Sequence, residues 1–317
     1  MLQREYYFAE GTTRAGFDEY LTLQNPGDQI VNIGATYMLG TGQSVPRSYS
    51  VAAHSRYTVT VADEVGANQD VSVHLVGDSP FGAERPMYFN YNGWTGGHDV
   101  AGVTSPSTVW YFAEGSTRAG FDEYLCVQNP NGVPANVSVK YTEGTKKDYV
   151  AGPHSRLTIG VNGDVGPGKD IGTSISSDVP VVAERPMYFD YKGWTGGHTA
   201  VGQTGDTGGT IYLAEGTTRA GFDEYITIAN PYESQTEVWL TFVFSDGSTL
   251  PWSPEKAPFF IVDSHSRMTI DVNDCVGEGR DVSARIVCGS PLVVERPMYF
   301  DYNGWTGGSD IMGKTDS

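Results

Sequence analysis

Proton transfer, metal binding and ring stacking each need particular side chains at particular spacings, and this sequence offers candidates for all three. Glu10 and Glu84 could serve as the paired carboxylates of a glycosidase. Each, however, lies close in sequence to an arginine, Arg14 or Arg85, which would lower its pKa and spoil it as a general acid. His54-Ser55 sets a base beside a hydroxyl, but neighbours entering a strand point to opposite faces, so they form no nucleophile–base pair. Asp18-Glu19 and the stretch from Asp63 to Asp70 offer oxygens to calcium without the spacing of an EF-hand loop. Zinc fits worse, since His98 and His198 align with Ser309 and no cysteine recurs. The expectation is a chain that is not an enzyme and needs no cofactor, with calcium the one ion its carboxylates leave open.

The aromatic candidates are Trp94, Trp194 and Trp305, preceded by Tyr91, Tyr191 and Tyr302 and flanked by glycines. Rings in polar, glycine-rich loops stack on sugar faces or anchor protein contacts. They also plug a sandwich end or the joint between neighbouring units. If a ligand is bound, the expected lining is Tyr91, Trp94, Glu10 and Arg14, then Tyr191, Trp194, Glu114 and Arg118, then Tyr302, Trp305, Glu215 and Arg219.

These groups recur because the chain repeats itself. Ala9-Glu10-Gly11 returns at 113 and 214, His54-Ser55-Arg56 at 154 and 265, and Glu84-Arg85-Pro86-Met87-Tyr88-Phe89 at 184 and 295. Three tandem units follow, spanning 1–105, 106–206 and 207–317, the last with an insertion between Asp246 and Phe260. Stretches rich in glycine and threonine, Asp99 to Thr108 and Thr199 to Thr210, read as linkers. Both ends fall in phase with the repeat, which suggests a segment of a longer chain.

Within each unit, apolar residues alternate with polar ones, as half-buried strands require. Tyr57, Val59 and Val61 form one such face; Val71, Val73 and Leu75 a second; Val31, Ile33, Ala35 and Tyr37 a third. Asn25-Pro26, Asn129-Pro130 and Asn230-Pro231 end a strand, and Asp246-Gly247 signals a hairpin. No segment carries a helical apolar stripe of useful length. The expected fold is all-β: three tandem antiparallel β-sandwich modules of immunoglobulin-like size. Cys126 takes an outward place shared with Thr22 and Thr227. Cys275 and Cys288 fall near opposite ends of one strand, so unpaired thiols are expected.

Of 317 residues, 18% are charged and the net charge is −18, which repels phosphate backbones and argues against nucleic-acid binding. No apolar run is long enough to span a bilayer. Arginine recurs at 14, 56 and 85 in every unit, whereas no lysine does. A solvated charge would accept either residue, so a fixed arginine implies that its planar fork is used. The expected partners of these arginines are Glu10, Glu84 or Asp18, stapling long loops to the sandwich.

The phrase Tyr-Phe-Ala-Glu-Gly-Thr-Thr-Arg with Phe-Asp-Glu-Tyr-Leu and Asn-Pro, joined to Ser-Arg-x-Thr-Val and Glu-Arg-Pro-Met-Tyr-Phe with Gly-Trp-Thr-Gly-Gly-His, resembles a known repeat. It is similar to immunoglobulin-like tandem repeats near the C-termini of large secreted or surface-attached bacterial proteins, many of them of unknown function. The resemblance implies an extracellular setting and a β-sandwich, and carries no activity or cofactor. The reading that follows is a non-enzymatic structural or adhesive array, a stalk or filament-forming segment whose partners are neighbouring repeats or other surface proteins. The alternative is a carbohydrate-binding protein whose repeated weak sites gain avidity on a polysaccharide.

Overall fold

The structure, a computed structural model, describes residues 2–205 and 208–315. The expected boundary between the second and third repeats, at Asp206 and Thr207, lies outside the described residues. The first repeat supplies β1 (Gln3–Phe8), β2 (Phe17–Asn25), β3 (Val31–Leu39), β4 (Ser44–Val51), β5 (Ser55–Thr60), α1 (Val61–Val65), β6 (Val71–Tyr91) and β7 (Trp94–Ala101). The second supplies β8 (Ser107–Phe112), β9 (Phe121–Asn129), β10 (Ala135–Tyr141), β11 (Lys146–Ala151), β12 (Ser155–Gly160), α2 (Val161–Val165), β13 (Thr173–Tyr191) and β14 (Trp194–Val201). The third supplies β15 (Gly209–Leu213), β16 (Phe222–Asn230), β17 (Thr236–Phe244), β18 (Thr249–Trp252), β19 (Phe260–Val262), β20 (Ser266–Asp271), α3 (Val272–Val276), β21 (Val282–Cys288), β22 (Val293–Tyr302), β23 (Trp305–Met312) and β24 (Lys314–Thr315).

The fold is all-β with antiparallel pairing. In the first repeat, the front half of β6 pairs with β1 and β3, and β4 extends that sheet. The back half pairs with β2 and β7, and β5 extends the other sheet. One long strand therefore serves both layers. Pro80 and Pro180 sit at the crossing, where a residue without an N–H breaks no ladder. In the third repeat the strand is interrupted at Gly289–Leu292, around Pro291, leaving β21 and β22 as separate elements.

Alternation fills the space between the layers. Val31, Ile33, Ala35, Tyr37, Val71, Val73 and Leu75 are all buried, and matching clusters fill the second and third repeats. Asn25 is buried at the end of β2 and its amide donates to the carbonyls of Gln29, Val51 and Ala52 at 2.8–3.0 Å. Asn129 and Asn230 tie the same loop in the other repeats, which is why this turn needs asparagine.

Several local expectations are corrected. Val61, Val161 and Val272 keep their inward direction but open five-residue helices rather than ending strands. Tyr57 is 46% exposed because it lies near the open start of β5, where it meets the Tyr49 ring at 5.8 Å. The Trp-Thr-Gly-Gly phrase is strand, not loop. Tyr91 pairs with Trp94 across a two-residue turn in which Asn92 and Gly93 both have positive φ, as a type I′ hairpin requires. The first linker accordingly starts after Ala101 rather than at Asp99.

Glycine in that phrase lets neighbouring repeats touch. A Cβ on Gly196 would lie 2.9 Å from the Gly307 Cα, and one on Gly197 would lie 2.8 Å from Cζ of Phe89 in the preceding repeat. Gly197→Ala is expected to destabilise the first joint by about 1–3 kcal/mol through overpacking. Gly163→Ala, with nothing near the added methyl, is the control. Calorimetry showing equal melting shifts for the two variants would contradict this account of the joint.

Candidate functional site

The residues singled out by type and spacing meet at the joints between repeats. At the first joint the Glu184 carboxylate reaches back to the first repeat and accepts from the N–H groups of Ala9 and Glu10 at 3.1 and 3.0 Å. Arg85, fully buried, donates to Glu184 at 2.9 Å, to the Glu10 carboxylate at 2.7 Å and to the Glu10 carbonyl. Thr199 and Tyr188 of the second repeat also donate to Glu10, at 2.9 and 3.2 Å. Arg156 crosses in the same direction to the Gly11 carbonyl, and its other nitrogen lies 3.0 Å from Sγ of Cys126.

An aromatic stack seals this network. The Tyr188 ring lies 4.4 Å from Tyr91 in near-parallel contact and meets Phe89 and Phe17 edge-on. The Tyr91 hydroxyl donates to Asp122 at 2.8 Å and lies 2.9 Å from the Tyr124 hydroxyl.

The second joint repeats the plan with one exchange. Glu295 accepts from the Ala113 N–H at 2.8 Å and from Arg185 at 2.9 Å, while Tyr299 stacks on Tyr191 at 4.4 Å. Asp310 stands where Thr199 did and binds Arg185 directly, and Glu114 pairs instead with Arg267. Period-two alternation produces both joints from one strand: Glu184 and Tyr188 face the first repeat, whereas Arg185, Phe189 and Tyr191 face the third.

Most of the recurring charges have partners, although Glu84 and Arg56, at the exposed side of the first repeat, make no ion pair among the described residues. Arg14, Arg118 and Arg219 pair with Asp70, Asp170 and Asp281 within their own repeats. Asp122 and Asp223 receive the Tyr91 and Tyr191 hydroxyls of the preceding repeat. Arg85 makes the expected pairing with Glu10 of its own repeat and also binds Glu184 of the next. Arg185 binds the Glu114 carbonyl of its own repeat and Glu295 and Asp310 of the next, so the staple within one sandwich extends into a clasp between two. Cys126 is buried there rather than outward, because the first repeat covers that face of β9, and burial pushes its thiol up to about 12. Cys288 approaches the Gly209 carbonyl at 3.5 Å, and no disulfide is formed by Cys126 or Cys275.

Burial works to raise the Glu10 carboxyl, but Arg85, His98 and Arg156 outweigh it and hold it below the ordinary range. Burial pushes His98 and His198 down to about 4, so both imidazoles are neutral at pH 7. Burial, with Asp310 beside it, raises the Glu295 carboxyl well above the ordinary range, whereas burial at Asp310 is outweighed by its contact with Glu295 and the charge of Arg185, which hold it below. Glu19, Glu123 and Glu224 were legible only as half of an acidic pair. They lie buried against Gly11, Gly115 and Gly216, and burial pushes all three up to about 8.

A cleft of about 140 Å³ at the first joint is lined by Glu10, Arg14, Tyr91, Tyr124, Arg156 and Tyr188. One of about 190 Å³ at the second is lined by Glu114, Arg118, Tyr191, Tyr225, Arg267 and Tyr299. At the outer side of the third repeat, Glu215, Arg219 and Tyr302 line a cleft of about 500 Å³. The expected Glu, Arg and Tyr of each repeat thus come together. Trp94 and Trp194 are half-buried beside Tyr91 and Tyr191 and line none of these clefts; Trp305 is 78% exposed. No group of three or more metal-ligating side chains occurs among the described residues.

No family model and no curated protein matches the chain. Among solved structures, Thermotoga maritima 1070 is 16% identical, aligning over 32% of this chain and 93% of its own, with a TM-score of 0.30. The Anabaena sensory rhodopsin transducer is 17% identical over 27% and 88%, with a TM-score of 0.25. A tetra-tandem repeat from the extending region of a large adhesion protein is 11% identical over 91% and 81%, with a TM-score of 0.14. Likenesses this low do not establish a shared fold. No helix among the described residues is long and apolar enough to cross a membrane.

Proposed function

We propose that the chain is a non-enzymatic structural array, an extracellular stalk or filament-forming segment of a larger bacterial surface protein. One observation carries this reading: the two phrases that repeat almost unchanged supply the clasp between neighbouring repeats. Glu10, the strongest candidate for acid chemistry, is ion-paired to a buried arginine and held below the range of a proton donor at neutral pH. Buried charge networks of this kind favour one geometry over many.

The test is small-angle scattering of Tyr188→Ala/Tyr299→Ala beside the parent chain. Each truncation removes roughly 3 kcal/mol of packing at a joint, so the variant should scatter as a more extended, looser particle. Identical profiles would remove the joint from the argument. The second reading, weak repeated sites for a polysaccharide, draws on the joint clefts with their tyrosines and arginines. It expects a change in tryptophan or tyrosine fluorescence on titration with glycans, and flat responses across an array would dispose of it.

A further inference from the structure

The clasp accounts for the buried groups of each joint but gives other recurring residues no structural task. Arg14 and Arg118 pair with Asp70 and Asp170 inside their own repeats, and their side chains are 63% and 64% exposed. An ion pair this exposed adds little to stability, and neither crosses a joint. Both instead line the joint clefts. Those clefts are two copies of one surface. All eleven positions that line the second also line the first, six from the preceding repeat and five from the following one. Neither repeat holds the set alone. Each cleft carries two arginines and two carboxylates, Arg14, Arg156, Glu10 and Asp70 in the first, so the formal charges cancel. Hydroxyls of Thr12 and Thr158 stand beside them, and Nε of the buried Arg156 has no hydrogen-bond partner among the described residues.

We propose that each joint cleft binds one unit of a neutral saccharide chain, held by residues of both repeats, so that sugar and joint stabilise each other. The inference rests on the polysaccharide reading above and adds the class of sugar and the composite site. Tyrosine and phenylalanine rings meet the C–H face of a pyranose, while guanidinium, carboxylate and hydroxyl groups bond sugar hydroxyls that both donate and accept. A cleft whose charges already cancel holds no free cation for an anionic sugar, and the chain's charge of −18 repels one further. Volumes of about 190 and 140 Å³ lie below the roughly 300–1,000 Å³ of sites for drug-sized ligands, so one ring enters. A contact that small gives a dissociation constant of about 1 mM, and successive clefts along one polysaccharide raise the avidity. Because both repeats supply the lining, the sugar prefers the closed joint, and the coupling is reciprocal.

Saturation-transfer NMR of the full chain tests the proposal, with neutral trisaccharides of glucose, mannose and N-acetylglucosamine beside trigalacturonate. At least one neutral probe is expected to bind, and trigalacturonate to bind at least about tenfold more weakly. Arg14→Ala/Arg118→Ala changes exposed residues and should weaken the neutral probe by about tenfold or more while small-angle scattering stays that of the parent. Tyr188→Ala/Tyr299→Ala should lose binding and loosen the joints together. Saturating sugar should raise the melting temperature of the parent and leave that of the tyrosine variant where it was. If no probe binds, the proposal and the polysaccharide reading fall together. If trigalacturonate binds best, or binding survives both double variants, the proposal is overturned and the polysaccharide reading stands. An Arg14→Ala/Arg118→Ala chain that scatters as loosely as the tyrosine variant also overturns it, since the arginines would then belong to the clasp.

Discussion

Arg185→Met is expected to destabilise the second joint by about 3–5 kcal/mol, because deleting one partner of a buried ion pair leaves the rest uncompensated. Arg185 is fully buried against Glu295 and Asp310. Removing it leaves those carboxylates facing each other, with Arg267 committed to Glu114. Calorimetry should show the third repeat melting apart from the second. Arg296→Met is the internal comparison. It holds the same place in the third repeat, but its partner Glu215 is mostly in water, so the loss should fall nearer 1 kcal/mol. Equal losses at the two positions would mean that the joints do not depend on the arginine clasp.

Replacing Glu19, Glu123 and Glu224 by glutamine should stabilise the protein at alkaline pH, although all three are buried. Each carboxyl sits near 8 in the folded chain against about 4.5 when unfolded. Between those values the folded state keeps a proton that the unfolded state has lost. Stability therefore falls as pH rises through this window, by about 1.4 kcal/mol per pH unit for each group, and levels off above it. Glutamine is always neutral and keeps the shape. The difference between variant and parent should be small near pH 4.5 and grow up to pH 8. Urea denaturation at several pH values measures it, and a difference independent of pH would show that these carboxyls are ionised in the folded state.

The sandwich was legible because its signal is local. Val71, Val73 and Leu75 alternate as a buried face must, and Asn25-Pro26 marks a turn whose hydrogen bonds the structure supplies. The candidate site was half legible. Glu10, Arg14 and Tyr91 were selected and do line one cleft. What the sequence hid was that the clasp lies between repeats, since three near-identical copies cannot say whether a conserved pair meets within one copy or across two. Cys126 shows the limit plainly. Its period-two position is outward from its own sandwich, yet a neighbouring module makes that surface an interior. Glu19 is a different case. An acidic residue beside another reads as solvated, and only Gly11 pressed against it gives the burial away.

The alternation that points Glu184 one way and Arg185 the other has an evolutionary consequence. A single module already contains both halves of its own junction, so duplicating its gene segment yields a neighbour that fits at once. Such a protein can gain or lose length in whole modules without inventing a new surface. A substitution on one side, by contrast, persists only with a matching change in the adjoining copy, as the exchange of Thr199 for Asp310 and the re-pairing of Glu114 with Arg267 illustrate.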